Sequence, residues 1–319
     1  MRIENFTIAH IEQAVNIAMQ NYKEERGYVP VLPQINTAPD LTTYAENNMS
    51  VAAFEGDIML GFLCGTSPFD NAFGINNIKG IFSPMGANGA VGEDKTKIYA
   101  RLYQAAAEKW VQAGATSHAI CLYAHDKEAQ EQFFRYGFGL RCVDAIRDMS
   151  MINCPPCDAV YEFIELEQNE YSSVFHLHTM LNRHQLTSPY FLYREPDKYA
   201  ESFIRGCLRT SSKIFAVKHK NEICAYLRIY VSGETFVANC PGYIHIKSAY
   251  CLPEHRGKGV YQNLINFAIS TLKNEGYARL GVDFESFNPT AYGFWLKYFT
   301  PYAYSVVRRI DEKVLDYIK

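Results

Sequence analysis

At 319 residues the chain exceeds one average domain and suggests about two. Hydrophobic residues make up 48% and aromatics 14%, enough to fill a core, which excludes a disordered chain. A formal net charge of −3 lacks the basic excess of a nucleic-acid partner, and 23 Tyr with 20 Phe favour sheet-rich domains or aromatic-lined clefts.

No apolar run approaches the ~20 residues of a membrane span. Met1 to Gln13 lacks the basic-then-apolar order of a signal peptide. The nine cysteines are scattered; Cys154 and Cys157 flank Pro155-Pro156, with no second pair to complete a zinc site. The expectation is a soluble cytoplasmic protein with free thiols, no metal, no membrane and no nucleic-acid partner.

In chain order, Ile8 to Tyr22 has a loose helical spacing, broken from Gly27 to Pro33. Val51 to Cys64 reads as a hairpin turning at Glu55-Gly56-Asp57, and Gly80 to Pro84 ends another strand. Lys97 to Ala113 is a helix stopped by Gly114, followed by a strand (His118 to Tyr123), a short helix (Ala129 to Tyr136) and a strand (Leu140 to Ile146). Asn153 to Asp158 breaks the periodicity and reads as a linker.

The series then recurs. Glu170 to Arg183 is a helix, Ile214 to Tyr230 a hairpin, Tyr243 to Leu252 a strand and Val260 to Glu275 a helix closed by Gly276. Leu280 to Glu285 is a strand, Thr290 to Lys297 a short helix and Tyr302 to Ile310 a last strand. The turn acids Asp57 and Glu222 are 222 − 57 = 165 apart, and the helix-ending glycines 276 − 114 = 162 apart. Phe133 to Phe138 matches Phe294 to Phe299 at 294 − 133 = 161. A near-constant offset over a domain length points to two copies of one α+β fold, 1–152 and 159–319.

Between strand and helix of the second copy lies His255-Arg256-Gly257-Lys258-Gly259-Val260-Tyr261. A glycine-rich turn at a helix N-terminus aims successive N–H groups at one spot, where the helix dipole adds positive charge. The expected ligand is a pyrophosphate. No ribose-binding acid follows within a βαβ unit, which disfavours a dinucleotide.

Arg256-Gly257-Lys258-Gly259-Val260-Tyr261 resembles the pyrophosphate loop Arg/Gln-x-x-Gly-x-Gly/Ala of the GNAT superfamily of N-acetyltransferases, with Tyr261 at the last small residue. Asn288-x-x-Ala291-x-x-Phe294-Trp295 resembles that family's Asn-x-x-Ala-x-x-Leu/Phe-Tyr helix. The whole chain looks like a tandem-GNAT protein: two GNAT-like domains, each a twisted mixed β-sheet flanked by helices. The resemblance implies that the fourth and fifth strands splay into a V that holds acetyl-CoA. Its pyrophosphate would rest on the amides of residues 257–261, its pantetheine along Tyr250-Cys251-Leu252 and on Asn288. An amide near Cys251 and Leu252 would polarise the thioester carbonyl.

A family tyrosine that protonates the leaving thiolate is replaced by Trp295, whose indole N–H does not titrate. Tyr298, one turn on, is the substitute candidate. An amine acceptor needs a base, because it is mostly protonated at neutral pH. Asp283 and Glu285 share one face of their strand, and Glu285 lies nearer the splayed end. The alternative for both is strand-end charge held by Arg279 or solvent. His245 on the preceding strand is a further candidate, and Cys251 as a covalent nucleophile lacks a sequence-evident base. In the first copy Glu93 and Asp94 fall where Arg256 and Gly257 stand, Phe134 replaces the family tyrosine, and His125-Asp126 stands near the Asn288 position. Two carboxylates there would repel a pyrophosphate, so that half is expected not to bind CoA productively. The reading is an acetyl-CoA-dependent N-acetyltransferase acting by direct attack in a ternary complex, on a small-molecule or peptide amine. The rivals are a non-catalytic acyl-CoA sensor and a transferase with a larger acyl donor.

Overall fold

The computed structural model describes residues 1–37, 39–193 and 199–318. The chain divides into two compact units, one of Met1–Asp144 with Pro301–Lys319, the other of Ala145–Thr300. This division is not linear, unlike the expected 1–152 and 159–319. The last strand pairs within the first unit, and that pairing is the physical reason for the difference.

The first unit opens with β1 (Arg2–Asn5), α1 (Ile11–Tyr28), α2 (Thr42–Glu46), β2 (Val51–Glu55) and β3 (Ile58–Leu63). It continues with β4 (Gly80–Ser83), β5 (Asn88–Ala90), α3 (Lys95–Gln112), β6 (Ser117–Tyr123) and α4 (Lys127–Arg135). β7 (Gly139–Asp148) spans the division between units. One sheet runs β1-β2-β3-β5. β6 is flanked by β4 in parallel, from Gly80↔Ser117 to Ser83↔Ile120, and by β13 (Thr300–Arg309) in antiparallel, from Ala303↔Tyr123 to Arg309↔Ser117.

α3 presents Ile98, Leu102, Ala106 and Trp110 to the core at helical spacing. Trp110 is fully buried and its indole N–H donates to the Met49 carbonyl at 2.7 Å, so the ring brings no unpaired donor inside. α1 runs to Tyr28, through Gly27, beyond its last buried side chain among Ala14, Ile17, Ala18, Asn21, Tyr22 and Glu25.

The second unit contains β8 (Tyr161–Glu165), α5 (Phe175–Gln185), α6 (Ala200–Arg209), β9 (Lys213–His219), β10 (Glu222–Tyr230) and β11 (Tyr243–Cys251). α7 (Val260–Asn274), β12 (Arg279–Glu285) and α8 (Pro289–Trp295) follow. Its strands lie in the order β12-β11-β10-β9-β8. α7 buries Val260, Leu264, Ile265, Ala268, Ile269 and Leu272, one continuous apolar face, under the sheet. α6, β1 and β8 have no counterpart in the sequence reading, although Phe203 and Cys207 of α6 are buried at i, i+4 spacing. No helix among the described residues is long and apolar enough to cross a membrane.

Candidate acyl-CoA cleft

β11 follows β10 along its length, from Tyr230↔His245 to Ala225↔Cys251. Its parallel ladder with β12 covers only Tyr243↔Arg279 to Ile246↔Val282. Beyond those pairs the two strands part. A bulge assists: Ile229 faces Ile246 and Arg228 faces Ser248, leaving Lys247 as the extra residue of β11. The strands begin close together because Gly281 gives Tyr243 and His245 room. A Cβ on Gly281 would lie 1.8 Å from the Tyr243 hydroxyl.

The opening holds a cleft of about 310 Å³, lined by the end of β11, the turn before α7, the first residues of α7, α8 and two residues of α5. Gly257 and Gly259 have φ of +73° and +75°, a conformation that explains glycine at both places. Gly259 is the N-cap of α7. Arg256 folds back over the strand end, its Nε donating to the Cys251 carbonyl at 2.8 Å and its guanidinium 5.3 Å from the Tyr250 ring centroid.

Of the residues singled out in the sequence, Tyr250, Cys251, Arg256, Gly257, Val260, Tyr261, Asn288 and Trp295 line this cleft. Lys258 is exposed, and neither it, Gly259 nor Leu252 is among the lining residues. The Leu252 N–H donates to the Cys224 carbonyl at 2.9 Å. Antiparallel alternation then turns the Cys251 and Ala249 amides away from β10, toward the opening, so of the two expected amides only that of Cys251 faces it. Tyr261, at the position of the family's small residue, donates its hydroxyl to the Tyr226 carbonyl at 3.0 Å and packs edge-on against Phe294 and Trp295. Asn288 caps α8, its Oδ1 accepting from the Ala291 N–H at 3.3 Å with His184 Nε2 at 3.5 Å.

A smaller cavity of about 110 Å³ shares Leu181, Ala249, Asn288, Ala291 and Trp295 with the cleft. Asp283, Phe284 and Glu285 line it, where β12 has left β11. Asp283 Oδ1 lies 2.7 Å from His245 Nε2, and His245 Nδ1 lies 2.8 Å from the Tyr243 hydroxyl. His245 is buried while Asp283 remains partly open. His245 thus bridges the Asp283 carboxylate and the Tyr243 hydroxyl through its two ring nitrogens. The side-chain amide Oε1 of Gln185, in the same cavity, is buried without a hydrogen-bond partner among the described residues. Glu285 is buried at the end of the strand.

Tyr298 lies off both cavities; its hydroxyl accepts from Gln262 Nε2 at 3.3 Å. Trp295, 5% exposed, lines both. Burial pushes the Cys251 thiol up to about 12, with nearby Cys224 adding and Arg256 opposing, so the thiol stays protonated at neutral pH. Burial and neighbouring His219 lower His255, which lines the cleft and meets the Tyr161 hydroxyl at 3.0 Å. Sequence reasoning omitted Leu181, His184, Gln185 and Tyr190, which approach the site from α5 and the segment after it. They lie about a hundred residues before Asn288, and only the fold brings them to the cleft.

Residues 180–299 match the family model described as Acetyltransferase (GNAT) family. No curated protein sequence matches the chain. Among solved structures, a GCN5-related N-acetyltransferase from Sphaerobacter thermophilus is similar over 97% of this chain and 95% of its own, with TM-score 0.59 and 8% identity. A GCN5-related glucosamine N-acetyltransferase region in a fungal multi-domain GH3 β-N-acetylglucosaminidase is similar over 96% of this chain and 38% of that one, with TM-score 0.53 and 12% identity. A tandem GNAT protein from the clavulanic acid biosynthesis pathway, at 11% identity, covers 97% of this chain and 98% of its own with TM-score 0.48. The matched segment lies within the second unit. The chain as a whole is an α+β protein of two compact units whose fold is similar to that of the Sphaerobacter thermophilus structure.

Proposed function

We propose that this protein is an acetyl-CoA-dependent N-acetyltransferase whose second unit carries out the transfer. The observation that carries the reading is the parting of β11 and β12 after Ile246 and Val282, beside a glycine turn with two left-handed residues at the start of α7. Acetyl-CoA supplies an activated acetyl thioester when bound. Arg256, the amides of the turn and the α7 dipole favour its pyrophosphate. The Ala249 and Cys251 amides of β11 act as donors along the opening, with the Cys251 N–H offered to the thioester oxygen. A positioned donor of this kind contributes on the order of 2.7–4 kcal/mol where charge develops on oxygen. Glu285 and Asp283 border the acceptor side and take the proton of the amine, with Tyr243 and His245 orienting Asp283. Tyr298 is too far round α8 to serve as acid from its present place, and an alkyl thiol with a pKa of about 8.5 leaves without one. The Cys251 thiol, held protonated, favours direct attack over a covalent acyl-enzyme. A small molecule or peptide amine fits an acceptor side bearing two carboxylates, and the reading places the protein in the cytoplasm.

The sensor reading has one observation in its favour: Trp295 fills the position of the family acid, and Tyr298, its expected substitute, lines neither cavity. Thiol release from acetyl-CoA over an amine panel decides between them. The transferase reading expects release with at least one cationic amine and its loss in Glu285→Gln; binding without release across the panel favours the sensor. Calorimetric titration tests the turn itself. Gly259→Glu is expected to weaken acetyl-CoA binding by at least about 100-fold, since it adds a strained residue and a like charge where the anion sits. Affinity within twofold of the parent would overturn the assignment.

A further inference from the structure

The first unit contains a cavity of about 490 Å³. It is bounded by α1, the first residue of α3, the end of β6 and the start of α4. The acyl-CoA cleft of the second unit is likewise bounded by α5 and the starts of α7 and α8, but its strand is β11, whereas β12, the counterpart of β6, lines the smaller cavity beside it. The chemistry of the two places is opposite. Four carboxylates line the cavity, Glu24, Glu25, Asp126 and Glu128, against two ammonium groups, Lys95 and Lys127. Lys95 Nζ is shared between Glu24 at 3.2 Å and Asp126 at 3.8 Å, and Lys127 Nζ donates to the Ala124 carbonyl at 3.2 Å.

Glu25 is 2% exposed and receives His125 Nδ1 at 2.8 Å and the His125 N–H at 3.2 Å. Tyr28 lies flat on the His125 ring, with centroids 4.6 Å apart and planes within 2°, and remains largely exposed. Two buried polar atoms of the lining have no hydrogen-bond partner among the described residues. One is Asn21 Oδ1, whose amide nitrogen is already committed to the Ala90 carbonyl at 3.1 Å; the other is the Tyr123 hydroxyl. Both side chains are more than nine-tenths buried. A buried polar atom left unpaired costs about 1–3 kcal/mol, so each marks a position that a ligand group can satisfy. Both atoms can accept a hydrogen bond, and the carboxylates outnumber the cations around them.

We propose that this cavity binds a small organic ammonium, an alkyl primary amine or diamine. Its N–H donors satisfy Asn21 Oδ1 and the Tyr123 oxygen, its charge answers the carboxylate surplus, and Tyr28 offers an aromatic face to the cation. The same carboxylates exclude a pyrophosphate.

The test is calorimetric titration of the full chain with 1,4-diaminobutane, beside 1,4-butanediol and succinate as neutral and anionic counterparts. The diamine is expected to bind while the diol and the dianion give no binding heat. Tyr123→Phe, which removes an unpartnered hydroxyl, is expected to keep or raise the melting temperature of the free protein and to weaken the diamine about fivefold. Glu24→Gln with Glu128→Gln, both on exposed positions, is expected to weaken it at least fivefold and serves as the decision if Tyr123→Phe does not fold. Glu285→Gln separates this cavity from the acceptor side of the second unit. Diamine binding lost in Glu285→Gln but unchanged in the first-unit variants would overturn the proposal, as would no binding heat or equal affinity for the diol.

Discussion

In the second unit the strand that leaves its neighbour stays whole; in the first it breaks. β11 pairs with β12 for four residues and then continues along β10 to Cys251. Its counterpart is two strands: β4 pairs with β6, and after Pro84 to Ala87, β5 pairs with β3. The helices that follow differ as well. Registered on their terminal glycines, Gly114 and Gly276, the two are 276 − 114 = 162 residues apart, so Gly257 and Gly259 correspond to Lys95 and Lys97. Those residues are the first turn of α3, capped by the Asp94 carboxylate accepting from the Lys97 N–H at 2.9 Å. The glycine turn before α7, proposed to hold the anion, thus has an extra helical turn as its counterpart in the first unit, closed by its own carboxylate. An N-cap acid consumes the free N–H groups that a phosphate would use. On the proposed reading, extending a helix removes an anion site as effectively as changing its charge.

The caps also correct the register of the short helices. Asp126 and Asn288 occupy the same position, each accepting from the N–H three residues on. Counting from them pairs Phe133 with Trp295, rather than with Phe294 as the offset of 161 has it; Phe134, expected at the family tyrosine position, is 75% exposed. Both units therefore carry a buried aromatic there.

The strongest way to break this equivalence is to remove both rings. Trp295→Ala and Phe133→Ala are each expected to cost about 3–5 kcal/mol by chemical denaturation, from lost burial and the cavity left behind. A loss under about 1 kcal/mol at either site would sink the shared register. Next in size is a pH effect in the first unit. Burial lowers His118 to about 4, despite its 3.1 Å bond to the Ala115 carbonyl, and its Nδ1 meets the Tyr103 hydroxyl at 2.8 Å. The folded state then binds fewer protons than the unfolded state between about pH 4 and 6.5. Stability from this group is complete above the unfolded value and falls as pH drops through the window, by about 3 kcal/mol in all. His118 corresponds to Leu280 in the second unit (280 − 118 = 162), so His118→Leu is expected to flatten that slope in urea titrations run at several pH values. The smallest effect exchanges the caps. Asn288→Asp, importing the first unit's residue, keeps the helix cap but brings a negative charge to the cleft. Acetyl-CoA affinity is expected to fall about tenfold by calorimetry with the melting temperature within a few degrees, and unchanged affinity would separate Asn288 from the ligand.

The strand, turn and helix around residues 243–275 were legible in the sequence because each signal is local: a β-branched and aromatic run, two glycines, then an apolar face of helical period. The repeat was legible for the same reason. What escaped depends on distance. The Leu252 amide is committed to Cys224 across a strand pair. Tyr298 is one turn from Trp295 in sequence, yet faces Gln262 instead of the cleft. Asp283 meets His245 and Tyr243 only because Gly281 lets two strands close up. α1 continues through Gly27 despite a glycine penalty of about 1 kcal/mol.

The final strand carries a consequence for how the chain is made. β6, the middle of its three-stranded pairing in the first unit, meets β13 between Ala303↔Tyr123 and Arg309↔Ser117, partners separated by 303 − 123 = 180 to 309 − 117 = 192 residues. Domains commonly fold in the order in which they leave the ribosome, the earliest first. Here the earlier half is obliged to wait with one edge of β6 unzipped until the later half has been synthesised. The order of completion is reversed relative to the order of birth, and so long a closure predicts slow acquisition of the first unit's final structure.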